Sequence, residues 1–216
     1  MVLFLRFSVV FLEDPFGKIL ARGEKTEMKK QAIIMGIATL LMLTTGAQSL
    51  CAQAVSQKTT PQLGDEVLAS WNHIGRKLIT MAQDFPEGKY DFKPAPESRT
   101  FAAQLLHVAG TNYLFVNALS GKRMGPDDND PSRSTYKTKA DIVALLTKSF
   151  ADGAALIKEH ANQLTHIVKN PDSGELSSEL VAWLGDCEHS GEHYGQLVVD
   201  YRVNGLVPPQ SRPRPK

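Results

Sequence analysis

The sequence predicts an all-α protein that folds as a four-helix bundle. Four segments carry apolar residues at intervals of three and four, which is the spacing of one face of a helix, and each segment ends at a proline or a glycine. No window between these turn signals alternates apolar and polar residues as a half-buried strand does. A chain of 216 residues fits a single domain, and four amphipathic helices with short tails pack as a bundle.

The first predicted helix runs from Val67 to Phe85, and the second begins after Thr100. Three prolines and a glycine between residues 86 and 96 end the first helix and predict a loop. Thr100 is a suitable N-cap for the apolar stripe that follows it. The second helix is expected to end near Gly121.

A long polar segment separates the second helix from the third. Residues 122–137 contain Gly125-Pro126 and Asp130-Pro131, so they cannot form a regular element. The segment is long enough to travel the length of a bundle. We therefore expect a long crossover between helices two and three.

The third helix is predicted to begin at Thr138, which forms a capping-box pattern with Asp141, and to end before Pro171. The fourth helix is predicted from about Glu175 to the residue before Gly205, a natural C′ glycine. The side of the fourth helix that faces the core is expected to carry Leu180, Leu184, Cys187, Gly191, Tyr194 and Val198.

The N-terminal region has the order of a secretory signal peptide. Lys29 and Lys30 precede an uncharged apolar run over residues 32–43, and Ala52-Gln53-Ala54 supplies an A-x-A cleavage site. The run is shorter than the roughly 20 residues of a membrane-spanning helix. We therefore expect an exported protein, periplasmic or secreted, that keeps no stable membrane span after cleavage.

The sequence before Met28 has no place in a signal peptide. It reads as sequence upstream of the true start or as a disordered extension, and a real extension would turn the apolar run into a signal anchor. The predicted parts are the upstream segment 1–27, the signal peptide 28–54, the bundle 62–210 and a flexible tail 211–216.

Charge and cysteine content exclude two classes of protein. The chain has 24 Lys and Arg against 23 Asp and Glu, so it lacks the positive field of a sequence-independent nucleic-acid binder. Its two cysteines cannot form a disulfide scaffold. Cys51 lies in the predicted signal peptide, and we expect Cys187 to be a buried, unreactive thiol.

Histidines carry the candidate chemistry. Only His189 and His193 have ligand spacing, at i and i+4 of the fourth helix, where two imidazoles share a face and can converge on one divalent ion. A catalytic metal site usually has three protein ligands and an open position, and His107 on the second helix is the candidate for the third. The remaining histidines, which we do not expect to be ligands, are His73, His160 in an apparently solvated stretch and His166.

The same spacing has a second interpretation. His189 and His193 point away from the predicted apolar stripe of Leu180, Leu184 and Val198, so they could belong to a solvated face. That side of the helix also carries Asp186, Gln196 and Asp200.

The segment His189-Ser-Gly-Glu192-His193 also fits H-x-x-E-H, the inverted zinc-protease motif. Such a protease needs a further acidic ligand well downstream, but no glutamate follows Glu192, and Asp200 is the only aspartate beyond it. The chain also lacks G-x-S-x-G and glycine-rich phosphate loops. These absences argue against protease, serine hydrolase and nucleotide-binding functions.

Three segments resemble DinB-family domains (DinB/YfiT-like metalloenzymes): residues 85–94, 105–110 and 192–209. The resemblance covers roughly residues 62–210. It implies a four-helix bundle of unusual connectivity and a divalent metal held by one histidine on the second helix and a pair on the fourth. His107, His189 and His193 match those positions.

The resemblance also implies a class of activity. Characterised relatives include metal-dependent thiol transferases and an isomerase that uses small cytosolic thiols, but an exported protein departs from that setting, so a hydrolytic or purely metal-binding role gains weight. We expect a hydrolase or transferase of unknown small-molecule substrate with zinc or nickel as the metal. Gln196 would orient the bound group and Glu192 would act as base.

The alternative is a non-catalytic metal-binding or partner-binding bundle of the cell envelope. We further expect a homodimer, because a polar histidine face on the fourth helix could be covered by another chain.

Overall fold

A computed structural model describes residues 61–128 and 130–213. The predicted upstream segment and signal peptide lie outside the described residues. The elements are α1 (Leu63–Asp84), α2 (Phe101–Leu119), α3 (Lys139–Glu159), β1 (Ile167–Lys169), β2 (Leu176–Ser178) and α4 (Glu179–Val203), with single 3-10 turns at Glu87–Lys89 and Pro209–Ser211.

The four helices form a bundle, as predicted. α1 packs against α3 and α4, and α2 packs against the same two helices. The order around the bundle is therefore α1, α3, α2, α4. α1 therefore lies diagonally opposite α2, and α3 lies diagonally opposite α4.

The connection from α2 to α3 is the predicted long crossover. α2 begins beside the end of α1, where the rings of Phe85 and Phe101 stack with centroids 3.8 Å apart. α3 begins there too, because Lys139 Nζ donates to the Phe85 carbonyl at 2.8 Å. Neighbouring helices α2 and α3 are thus parallel, and the chain between them must return along the bundle.

The crossover is attached to the helices along its path. Asn117 Nδ2, near the end of α2, donates to Asp128 Oδ1 at 2.9 Å. At the other end of the bundle, Arg133 Nε donates to Asp91 Oδ1 at 3.1 Å. These contacts fix the intervening Asp130 beside α2.

The predicted helix caps are present. Asp141 N donates to Thr138 Oγ1 at 3.1 Å and Thr138 N donates to Asp141 Oδ2 at 2.9 Å, which completes the capping box. Thr100 Oγ1 accepts from Ala103 N at 3.0 Å. Gly205 follows α4 with a φ of 71°, the left-handed conformation in which glycine carries no steric cost.

The core is centred on two tryptophans. Trp71 of α1 and Trp183 of α4 are fully buried with ring centroids 5.3 Å apart, and Trp71 Nε1 donates to the Phe150 carbonyl at 2.8 Å. A Cβ at Gly153 of α3 would overlap the Trp71 indole. This glycine is therefore required for α1 and α3 to approach each other around the indole.

The prediction that the chain contains no strand was wrong. β1 and β2 form an antiparallel hairpin in which Ile167 pairs with Ser178 and Lys169 with Leu176. Each strand has three residues, too few for alternation to be visible in the sequence. As a result α3 ends at Glu159, well before Pro171, and α4 begins at Glu179 rather than Glu175.

The predicted core face of α4 was also wrong. Leu184 is 48% exposed, and the rest of the predicted stripe is only half-buried. Trp183 and Tyr201 bury the largest side chains of this helix and so determine which side faces the core. The buried residues of α4 are Glu179, Ala182, Trp183, Asp186, Ser190, His193, Leu197, Asp200 and Tyr201.

Cys187 is half-buried rather than buried. Burial, with a smaller effect of the Asp186 charge, raises the pKa of its thiol to about 12. The thiolate is therefore strongly disfavoured at neutral pH.

No helix within the described ranges has both the length and the hydropathy needed to cross a bilayer.

Candidate metal centre

Three predicted residues meet between α2 and α4. The Nε2 atom of His189 lies 3.1 Å from Nε2 of His107 and 3.0 Å from Nε2 of His193. One ligand atom from each of the three lies within 4.8 Å of the others. The structure therefore brings together His107, His189 and His193, the histidine trio, although more than 80 residues separate the first from the pair.

The rotation of α4 decides this arrangement. Because Trp183 and Tyr201 face the core, the side of α4 that carries the histidines faces α2, and His193 is only 5% exposed. The expectation of a solvated histidine face was wrong for this reason. Asp186 and Asp200, which were expected on that solvated face, are 0% and 1% exposed.

Two of the three rings form a hydrogen bond through Nδ1, the ring nitrogen that faces away from the centre. His107 Nδ1 lies 3.0 Å from Asp130 Oδ1, and His193 Nδ1 lies 3.0 Å from Gln196 Oε1. An ionised carboxylate and an amide oxygen can only accept, so both Nδ1 atoms carry the proton and both Nε2 lone pairs point to the centre. Gln196 thus orients His193 rather than facing a group bound at the centre.

The third ring has a different neighbour. His189 Nδ1 is 3.9 Å from Asp186 Oδ1, which is too long for a hydrogen bond. Neither atom has a hydrogen-bond partner among the described residues. Burial, together with the charge of Asp172, raises the pKa of the Asp186 carboxyl to about 8.

The protonation state of His189 and His193 suits a ligand role. Burial, followed by the neighbouring His189 and His107, lowers the pKa of His193 to about 4. Burial and His107 also lower the pKa of His189. Both imidazoles are therefore neutral at pH 7, the form that coordinates metals.

The trio fits a divalent ion. The Nε2 lone pairs of His107 and His193 both point to the centre, where a cation would accept them together with Nε2 of His189. Ligand nitrogens of tetrahedral zinc, with bonds of about 2.0–2.1 Å, lie about 3.4 Å apart, close to the observed 3.0 and 3.1 Å. Three imidazoles also match the borderline ions, zinc and nickel, better than calcium or magnesium.

A cleft of about 430 Å³ opens beside the trio and is lined by His107 and His189. Leu114 and Phe115 supply an apolar wall. The hairpin turn and α4 add three carboxylates, and no Lys or Arg is among the described residues that line the cleft. These acidic residues are Asp172, Glu188 and Glu192.

The other histidines lie apart from the trio. His73 and His166 are exposed. Lys158 and Glu159 are exposed as expected, but His160 is half-buried. Its Nδ1 lies 2.9 Å from Oε1 of the buried Glu179, which also accepts from Trp183 Nε1 at 2.9 Å. The sequence had indicated neither this pair nor Asp130, which was visible only as part of an Asp-Pro turn signal.

The sequence of the chain matches the model of the DinB superfamily over residues 72–197. The chain belongs to the DinB superfamily. Among solved structures, a DinB-like protein from Bacillus cereus ATCC 10987 is 18% identical, with a TM-score of 0.56 over 67% of this chain and 95% of that one. A conserved protein from Enterococcus faecalis is 15% identical, with a TM-score of 0.48 over 68% of this chain and 99% of that one. No curated protein matches the chain.

The membership agrees with the resemblance seen in the sequence, and the fold is that of the DinB-like neighbour from Bacillus cereus. This DinB-superfamily chain carries the trio at the positions that the resemblance implied: one histidine on α2 and two on α4.

Proposed function

We propose that this DinB-superfamily protein binds a divalent metal ion, zinc or nickel, through His107, His189 and His193. We further propose that it is a metal-dependent hydrolase or transferase acting on a small molecule. The convergence of three imidazoles at the edge of an open cleft carries the proposal. When bound, the ion supplies Lewis acidity at that edge.

The protein's own residues would prepare this chemistry. Asp130 and Gln196 fix two of the ligand rings, and such outer partners strengthen the ligands and hold their orientation. Glu192 lines the cleft one residue before His193 and is the candidate to accept a proton from the attacking group. Leu114 and Phe115 cover an apolar part of a substrate and exclude water from it.

The lining of the cleft restricts the substrate. Its three carboxylates repel a multiply charged anion, and no Lys or Arg of the described chain lines the cleft to offset them. We therefore expect a neutral or positively charged small molecule rather than a phosphorylated or dicarboxylic one.

A non-catalytic metal-binding or partner-binding bundle of the cell envelope is the second candidate. A purely structural site is closed over by packing, whereas two of the trio line a cleft of about 430 Å³. This observation favours the catalytic candidate. Hydrolysis of a panel of neutral and cationic esters and amides by the metal-loaded protein, lost in His107→Ala, would support catalysis.

We also retain the proposal of export. Sequencing of the native N terminus tests it: a start near Gln53 or Val55 supports cleavage of a signal peptide, and an intact Met1 contradicts it.

We also propose a homodimer, although the histidine face of α4 is covered by α2 of the same chain and does not support it. The support is now the exposed apolar residues of α4. These are Val181 at 50%, Leu184 at 48% and Val203 at 59% exposure. A light-scattering mass equal to one chain at micromolar concentration would reject the dimer.

Elemental analysis of protein purified without an affinity tag tests the metal site directly. We expect one zinc or nickel per chain in the wild type and a large loss in each alanine variant of the trio. His73→Ala, which removes an exposed imidazole from α1, is the matched control. A metal-free, folded wild-type protein that takes up no zinc or nickel in solution would refute the proposal.

A further inference from the structure

A second cleft, with a volume of about 550 Å³, lies between α2, α4 and the loop that joins α1 to α2. None of the histidine trio lines it. Its position is separate from the cleft to which the proposed function assigns the substrate. The residues that line it include Pro94 and Arg99 of the loop, Gln104 of α2, and Gln196, Val199 and Asp200 of α4.

Two acceptor groups in this cleft are buried without partners. Asp200 is 1% exposed and Gln104 is 8% exposed, and neither Asp200 Oδ1 nor Gln104 Oε1 has a hydrogen-bond partner among the described residues. The amide oxygen of Gln104 can only accept, and the Asp200 oxygen can only accept when its carboxyl is ionised. An acceptor that is buried and unpartnered reduces stability. A bound molecule that donates hydrogen bonds to these two oxygens would remove that cost.

The neighbouring amides do not satisfy these acceptors. Gln104 Nε2 donates to Gln196 Oε1 at 2.6 Å, and the same oxygen lies 3.0 Å from His193 Nδ1. The Oε1 atom of Gln196 is therefore committed to His193 and Gln104. Asp200 Oδ1 and Gln104 Oε1 remain as the unfilled positions.

The charge of Asp200 is also uncompensated. Arg99 lines the same cleft, but its Nη2 is 4.0 Å from Asp130 Oδ2. The raised pKa of Asp200, about 6, has burial as its cause, with no contribution from a neighbouring cation. At neutral pH the carboxylate is mostly ionised, and no ion pair among the described residues joins it to Arg99 or to another cation.

We propose that this cleft binds a small organic cation, an alkylammonium or alkylguanidinium compound, whose N–H groups donate to Asp200 and Gln104. Such a cation supplies both donors and the missing positive charge, and charge-assisted hydrogen bonds are the strong ones. Its carbon chain lies against Val199 and Pro94 at the mouth of the cleft. The site forms without a metal ion, so the proposal stands independently of the proposed function.

The test is a titration of the full-length protein with n-butylammonium, followed by ligand-observed saturation-transfer NMR. n-Pentanoate, which has a similar chain and the opposite charge, is the matched probe. We expect n-butylammonium to bind and n-pentanoate not to bind. Asp200→Asn, which keeps the shape and removes the charge, should weaken binding at least about tenfold. Asp65→Asn, at an exposed position of α1, should leave binding unchanged.

A second variant covers the case in which Asp200→Asn fails to fold. Val199 is 49% exposed, so Val199→Phe fills the mouth of the cleft without disturbing the core and should abolish binding. No binding to the wild type, equal binding of the two probes, or unchanged binding in either variant would overturn the proposal. Metal content is measured on the same samples, so loss of the metal site and loss of the cation site are told apart.

Discussion

The histidine trio predicts a metal-dependent gain of stability that His107→Ala removes. Because two ligands lie on α4 and one on α2, the complete site exists only in the folded chain. A ligand that binds only the native state stabilises it by about 4 kcal/mol when its free concentration is 1,000 times the dissociation constant. For a domain of this size, 1 kcal/mol corresponds to roughly 2–4 °C in Tm. We therefore expect zinc at that excess to raise the wild-type Tm by about 8–16 °C.

The assay is thermal unfolding followed by circular dichroism, with and without zinc, for the three alanine variants and His73→Ala. The variants His107→Ala, His189→Ala and His193→Ala should each lose most of the gain, while His73→Ala keeps it. If His107→Ala keeps the wild-type gain while His189→Ala loses it, the metal contacts only the i, i+4 pair of α4. The cross-helix site would then be wrong, even though the three Nε2 atoms lie close together.

Three further predictions concern residues outside the trio. Asp130→Ala should lower zinc affinity by about 10–100-fold in calorimetric titration, because His107 loses the group that holds its ring; affinity equal to the wild type would show that Asp130 has no such role. Gly153→Ala should destabilise the protein in urea unfolding by about 1–3 kcal/mol, because the new Cβ overlaps Trp71. The control Gly195→Ala has nothing within 4 Å of its Cβ and should stabilise the protein by up to about 1 kcal/mol. Equal effects of the two substitutions would contradict the packing of α1 on α3. Burial raises the pKa of Asp200 from 3.8 to about 6, so the folded state holds more protons between those values and stability falls as pH rises through that window. Asp200→Asn should remove this loss of stability, which amounts to up to about 3 kcal/mol. A free energy of unfolding that rises over this pH range by the same amount in the wild type and the variant would contradict the prediction.

The sequence predicted those features that depend on strong local signals. The capping box of Thr138, the N-cap of Thr100 and the C′ glycine at 205 each depend on a side chain or backbone conformation within a few residues. The crossover followed from the length and composition of the segment that carries it. The histidine trio was predicted because helical spacing and a family resemblance pointed to the same residues.

The features that were missed depend on tertiary packing. The orientation of α4 follows from the packing of Trp183 against Trp71 and of Tyr201 against Phe85 and Phe101. The spacing of its aliphatic residues does not contain this information. Asp130 reaches His107 only because the crossover returns along α2. The three-residue strands gain their pairing from the hairpin and show no periodicity of their own.

The polar composition of the buried side of α4 is itself an argument for function. A helix selected only for stability would place its aliphatic residues inward, yet Val181 and Leu184 are exposed while Asp186, Ser190 and Asp200 are buried. Buried polar groups without partners reduce stability, and side-chain oxygens of all three lack a partner among the described residues. Local rules of this kind are broken mainly at functional sites. Asp186 lies beside a proposed metal ligand and Asp200 lies in the second cleft, so the cost in stability falls at the two places where we propose that ligands bind.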